Sequence, residues 1–159
     1  MSEHLIELAA EADTLRLGAS LASGARAGRV LYLSGDLGSG KTTLARGLLQ
    51  ALGHRGPIKS PTYALVEVYE LSSLNLYHFD FYRFKNPQEW EDSGFREYFG
   101  PDALCIVEWP ERAGALLAPA DLEIRLEFAR DGRLAHVQSR SEQGEDWLRA
   151  SRSPSASSS

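Results

Sequence analysis

Val30-Leu31-Tyr32-Leu33-Ser34-Gly35-Asp36-Leu37-Gly38-Ser39-Gly40-Lys41-Thr42 is the stretch on which the fold turns. Its first four residues form a continuous β-prone apolar run, which suits a strand buried on both faces of a parallel sheet. The eight that follow, from Gly35 to Thr42, match the glycine-rich phosphate-binding pattern in full. Glycines there admit backbone conformations that a Cβ disfavours, so successive amide N–H groups can point inward and cradle phosphates. A helix then follows, with Leu44, Leu48, Leu49 and Leu52 on one side and Gly53 as its stop, and its positive dipole end adds to the anion site. Lys41 is placed to reach the β- and γ-phosphates and the Thr42 hydroxyl to ligate Mg²⁺, while Leu37, Gly38, Ser39, Gly40 and Thr43 complete the cradle. A glycine-rich turn with a solvated lysine is the bland alternative. The strand before it and the leucine-faced helix after it argue for the nucleotide site.

Working outward, His4 to Leu8 reads as an edge strand, and a helix is expected from Asp13 as its N-cap to the Gly24–Gly28 region. Ser60-Pro61-Thr62-Tyr63 reads as a loop, because each proline lacks a donor and restrains the residue before it. Ala64–Leu71 and Leu74–Phe81 read as two strands joined at Ser72-Ser73, a connection so short that they must be antiparallel. Asn86-Pro87-Gln88-Glu89 carries an N-cap, a proline at the first helical position and an acid in the first turn. Ala103–Val107 is a second continuous apolar run, and Leu122–Phe128 with Leu134–Ser139 reads as a hairpin turning at Asp131-Gly132. Glu142–Arg149 follows as a last helix. The expected architecture is α/β: a P-loop NTPase-like mixed sheet flanked by helices, with an antiparallel strand extension. Residues 1–150 read as one domain, and 151–159 as a disordered serine-rich tail.

Composition narrows the function classes. With 159 residues, 43% hydrophobic and 25% charged, the chain suits one globular domain with a real core. A net charge of −5 argues against a protein that grips nucleic acid by itself, since such proteins present a basic face. The lone Cys105 sits in an apolar run and reads as a buried core thiol in a reducing compartment. The N-terminal residues lack the pattern of a signal peptide, and no apolar segment is long enough to span a bilayer, so a cytoplasmic protein is expected.

A hydrolytic phosphate-loop site also needs an acid at the end of a neighbouring strand, to hold the metal and position water. Glu108 ends a continuous apolar run, the profile of a strand beside the phosphate-loop strand. Asp80 ends the alternating run Leu76-Tyr77-His78-Phe79, more like the antiparallel arm. The pattern therefore gives Glu108 the metal, with Thr42, and Asp80 the water, and the reverse assignment fits it too. His78 reads as a packed strand histidine, Trp109 as a wall of the nucleotide site or core filler, and Arg83 as a phosphate contact or a partner for a carboxylate. Tyr77, Phe79, Phe81, Tyr82 and Phe84 read as core and partner surface rather than a base-stacking platform. No Asn-Lys-x-Asp guanine signature is present, so adenine is favoured. A small-molecule kinase is the alternative, weakened by a short span between the acids with few arginines. A nonenzymatic nucleotide sensor ranks lower still.

Gly35–Thr43, Ser60-Pro61-Thr62-Tyr63, His78-Phe79-Asp80-Phe81-Tyr82-Arg83 and Val107-Glu108-Trp109-Pro110-Glu111, in that order, resemble the TsaE (YjeE) family, bacterial ATPases of tRNA threonylcarbamoyladenosine biosynthesis. The resemblance spans roughly residues 4 to 149. It implies ATP and Mg²⁺ as ligands, slow hydrolysis, and association with the TsaB–TsaD complex that modifies adenosine 37 of tRNA, with tRNA met only through that complex. It implies phosphate and metal roles for Lys41 and Thr42, and metal and hydrolytic roles for Asp80 and Glu108. Trp109 would lie near the site, Ser60–Tyr63 would be a switch loop, and Glu11 and Gly132 would border the adenine. Phe81 replaces a commoner leucine and Ala64 a small polar residue, neither of which alters charge at the site.

Overall fold

A computed structural model describes residues 1–152. Seven strands, β1 (Glu3–Leu8), β2 (Val30–Ser34), β3 (Val66–Glu70), β4 (Asn75–Asp80), β5 (Ala103–Glu108), β6 (Leu122–Ala129) and β7 (Gly132–Ser139), form one sheet in the order β1-β7-β6-β2-β5-β4-β3. Strands β6, β2, β5 and β4 are mutually parallel, and β7, β1 and β3 add antiparallel pairs at the two ends. Among the described residues four α-helices accompany the sheet: α1 (Glu11–Ser20), α2 (Lys41–Ala51), α3 (Pro87–Ser93) and α4 (Glu142–Ser151). The α/β class, the mixed sheet with flanking helices and the antiparallel extension all stand as expected.

Strand alternation sorts the core into two layers. Leu31 and Leu33 of β2, Leu104 and Ile106 of β5, and Leu122, Ile124 and Leu126 of β6 join Leu44, Leu48 and Leu49 of α2 and Trp147 of α4 in the larger cluster. The alternate residues Val30, Cys105, Val107 and Phe79 join Phe81, Phe84 and Trp90 in a second, largely aromatic cluster on the other face. Cys105 is buried there, its thiol pushed up to about 12 by burial, as a core position implies.

The structure departs from the sequence reading at several boundaries, among them β3, which runs Val66–Glu70 rather than from Ala64 to Leu71, and in one strand pairing. Helix α1 starts at Glu11 with Ala10 as N-cap. Asp13 is no cap: it lies in the first turn and its carboxylate accepts from the Ala10 N–H at 2.9 Å, the return half of a capping box. Strand β4 is not simply part of the antiparallel arm, because its other edge runs parallel to β5 with Asp80 opposite Glu108. Its alternation separates aliphatic from aromatic packing rather than core from solvent. Helix α4 runs through Ser151, the first residue of the segment read as a disordered tail, and residues 153–159 of that segment lie outside the described residues.

Helices α1 and α2 meet backbone to backbone. A Cβ on Gly47 would overlap the carbonyl oxygen of Leu15, and one on Gly18 that of Leu44. The contact fixes the phosphate-loop helix against α1. Gly47→Ala is expected to cost about 1–3 kcal/mol in chemical denaturation, as overpacking does. Gly100→Ala, at a site with open space around it, should change stability by less than about 0.5 kcal/mol.

Candidate functional site

At the carboxyl end of β2 the chain turns through Gly35 (φ 138°), Gly38 (φ 78°) and Gly40 (φ 111°) before α2 begins at Lys41. At Gly35 a Cβ would overlap the Leu126 carbonyl oxygen, so the loop runs too close to β6 for any other residue. The first amides of α2 therefore open into the loop, the arrangement that receives an anionic group. Lys41 folds back over the loop: Nζ donates to the carbonyls of Gly35 (2.6 Å) and Asp36 (3.0 Å) and lies 4.5 Å from the centre of the Trp109 ring. Burial pulls its ammonium below the ordinary lysine range, opposed first by the charge of Glu108 and then by Asp80.

The in-register pairing of β2, β5 and β4 aligns Leu33, Glu108 and Asp80 at adjacent strand ends. Glu108 is buried and accepts from Thr42 Oγ1 at 3.0 Å on Oε2 and 3.3 Å on Oε1. The same Oε2 lies 2.7 Å from His78 Nε2. Asp80 accepts the Tyr82 N–H at 2.9 Å on Oδ1 and the Thr62 hydroxyl at 3.1 Å on Oδ2, which ties it to the Ser60–Tyr63 loop. Burial raises the Asp80 carboxyl above its ordinary range, against the lowering effect of the Tyr82 bond. Thr42 and Glu108 together form an oxygen donor pair. Mg²⁺ suits such a pair, because it keeps waters and phosphate oxygens for its remaining positions.

Two clefts flank the loop. One, about 280 Å³, is lined by Leu37, Lys41, Thr42, Thr62, Asp80, Glu108 and Trp109. The other, about 580 Å³, is lined by Glu11, Thr14, Gly38, Ser39, Thr43, Gly132 and Arg133. Lys41, Thr42, Asp80, Glu108, Trp109 and the loop residues from Leu37 to Thr43 thus border one or both, with Glu11 and Gly132 on the side away from the carboxylates. Ser39 contributes backbone only, since its side chain is fully buried, and Leu37 projects outward. Arg83 forms no ion pair among the described residues and lies with its guanidinium 4.6 Å from the centre of the exposed Tyr63 ring.

Sequence reasoning passed over three contributors. His78 was legible, because a β-strand puts it on the same face as Asp80 two residues on. Thr62 was seen only as part of a loop, and its bond to Asp80 depends on tertiary placement. Arg133, whose guanidinium donates to the Gly38 carbonyl at 3.2 Å, had no local signal.

A parallel sheet with a glycine loop entering a helix beside two strand-end carboxylates defines a phosphate-loop α/β protein of the nucleotide-binding class. The family described as threonylcarbamoyl adenosine biosynthesis protein TsaE matches residues 8–135. The chain belongs to the TsaE family, involved in tRNA threonylcarbamoyladenosine biosynthesis. It is 43% identical over 121 residues to the tRNA threonylcarbamoyladenosine biosynthesis protein TsaE of Haemophilus influenzae, covering 76% of this chain and 77% of that one. The Bacillus subtilis protein of the same name is 38% identical over 119 residues, 75% of this chain and 74% of its own. The crystal structure of Bacillus subtilis YdiB superposes with a TM-score of 0.81 at 26% identity, covering 94% of each chain. No helix among the described residues is long and apolar enough to cross a membrane.

The raised Asp80 carboxyl has a consequence for stability. The unfolded chain releases this proton at lower pH than the folded one, so stability falls as pH rises through the raised value. Asn at this position keeps an acceptor for the Tyr82 N–H and offers its amide to Thr62. Asp80→Asn is therefore expected to melt above the unsubstituted chain near about pH 8, with the advantage shrinking on acidification. Thermal melts at several pH values check this, and an equal or lower melting point at the alkaline end counts against it.

Proposed function

We propose that this chain is a Mg²⁺-dependent ATPase, slow alone, whose ATP binding and hydrolysis serve a TsaB–TsaD threonylcarbamoyl transferase complex in the cytoplasm. The observation that carries the reading is the pair of contacts Thr42–Glu108 and Asp80–Thr62 on either side of Lys41. The first supplies the two oxygen donors that a nucleotide-bound Mg²⁺ requires. The second joins the other carboxylate to an exposed loop.

Each residue then has a defined task. The loop amides from Gly38 to Thr43 and the α2 N-terminus bind the phosphates. Lys41 exchanges two carbonyl acceptors for phosphate oxygens and neutralises charge as it develops. Thr42 and Glu108 would hold Mg²⁺, which would supply Lewis-acid charge to the phosphates. Asp80 orients the attacking water, and a carboxyl raised by burial is better matched to proton transfer than an ordinary one. Trp109 shields Lys41 from solvent, and Glu11 and Gly132 border the base.

Two features favour a partner-coupled ATPase over a small-molecule kinase. The segment between β4 and β5 sends Trp90 and Phe95 into the aromatic core rather than over the cleft, so it forms no acceptor lid. The Ser60–Tyr63 loop, with Tyr63 exposed, can report the phosphate state to another protein. The net charge of −5 supports contact with tRNA only through the complex.

The test is ATP turnover by the isolated chain and after addition of the TsaB and TsaD partners. Slow turnover is expected alone, with a clear rise on addition. Lys41→Ala and Glu108→Ala should each lose at least about 100-fold, Lys41→Ala through nucleotide affinity as well. Turnover indifferent to the partners, with phosphate passed to a small acceptor instead, would favour the kinase.

A further inference from the structure

We propose that His78 is the positioning residue of the metal-binding carboxylate, fixing Glu108 Oε2 so that Oε1 is the oxygen offered to the ion. The inference rests on the reading of Thr42 and Glu108 as the Mg²⁺ ligands and adds a residue that touches neither metal nor nucleotide.

The geometry is asymmetric. Oε2 has two donors, His78 Nε2 at 2.7 Å and Thr42 Oγ1 at 3.0 Å, whereas Oε1 has only the longer 3.3 Å approach of Thr42. Both His78 and Glu108 are buried, at 0% and 2% exposure, so water cannot replace a lost donor. His78 stands opposite Ile106 on β5, two register positions before the Asp80–Glu108 pair and on the same face, so its ring reaches the carboxylate from a rigid strand. Its second nitrogen, Nδ1, is buried without a hydrogen-bond partner among the described residues. That selects the tautomer with the proton on Nε2, since a bare lone pair is less costly in the interior than a bare N–H. His78 is thus a donor aimed at one oxygen. A histidine that merely fills the core has no reason to give its single proton to this carboxylate and leave the other nitrogen unsatisfied.

The consequence is specific. Thr42 shares its hydroxyl between Glu108 and the ion, so His78 is the donor that stays on Oε2 throughout. Without it, a buried carboxylate can rotate and lose its bite on the metal, as happens when outer partners of ligating groups are removed.

Two measurements test the proposal. In metal-free and nucleotide-free protein, the imidazole Nε2–H of His78 should give a solvent-protected, low-field proton resonance, lost in His78→Gln and shifted in Glu108→Gln. Its absence from the unsubstituted chain overturns the bond. In titrations with a fluorescent ATP analogue, His78→Leu should lose about 10-fold or more of the affinity that Mg²⁺ adds, with the affinity in EDTA unchanged. His78→Gln, whose amide nitrogen replaces Nε2, should recover most of it, and His78→Asn, whose amide sits where Nδ1 does, should not. Leu with undiminished Mg²⁺ dependence, or Asn equal to Gln, overturns the proposal. The Gln–Asn comparison stands alone should Leu fail to fold. If Thr42→Ala also keeps full Mg²⁺ dependence, the metal reading of the site has failed instead, and the resonance alone decides whether His78 holds Glu108.

Discussion

Three parallel strands in register, β2, β5 and β4, bring Leu33, Glu108 and Asp80 to one line at the carboxyl end of the sheet, and the rest of the site hangs on that alignment. Parallel neighbours end on the same side, so the loop after β2 and the carboxylates closing β5 and β4 emerge together. A slip of two residues would keep every side chain on its face and still carry Glu108 away from Thr42. The register is secured from both faces of the sheet: leucines of α2 press on one, and the aromatic cluster around Phe79, Phe81 and Trp90 presses on the other. Close contact between α1 and α2 at Gly18 and Gly47 then sets where the phosphate-loop helix starts.

Around that line the chain gathers charged and polar groups that the interior disfavours. Lys41, His78, Asp80 and Glu108 are all buried, and each has at least one hydrogen-bond partner. Removing one partner leaves another group unsatisfied, so these residues act as a set rather than as separable contributions. The raised Asp80 carboxyl shows that compensation is incomplete. A fold chosen for stability alone would replace it with something neutral, and its retention fits a site in which function outweighs the stability lost.

Much of this was legible in the sequence, for identifiable reasons. The apolar runs of β2 and β5 carry no polar residue before Ser34 and Glu108, and two-sided burial leaves that signature and few others. Asn86-Pro87 marked α3 because a cap and a first-turn proline act within four residues. What escaped notice depended on distance in space. The parallel pairing of β4 with β5 leaves no local trace, so Asp80 seemed to belong to the hairpin, and with it His78 seemed a packing residue. Asp13 was taken for a cap because caps and first-turn acids share residue types, and only the chain's path at Ala10 distinguishes them. The bond from Thr62 to Asp80 joins residues 18 apart and has no pattern that a reading along the chain detects.

Backbone strain falls at the same place. Among the described residues, only Leu65 (φ 71°) and Trp109 (φ 57°) adopt positive φ without being glycine. Trp109 directly follows Glu108. The Leu65 carbonyl accepts the Asp80 N–H at 3.0 Å, and the Leu65 N–H closes a turn onto Pro61 at 2.7 Å. Each carboxylate thus has one strained residue against it, and each strained residue bounds a segment on the cleft: the turn carrying Thr62 and Tyr63, and the turn that lays Trp109 over Lys41. A left-handed leucine or tryptophan costs on the order of 1–2 kcal/mol, which lowers the energy difference between this arrangement and another. A site meant only to hold a nucleotide would gain from relieving that strain. One whose loops must change contacts as phosphate is bound and lost is served by keeping it, and the two positions that keep it are those joined to Asp80 and Glu108.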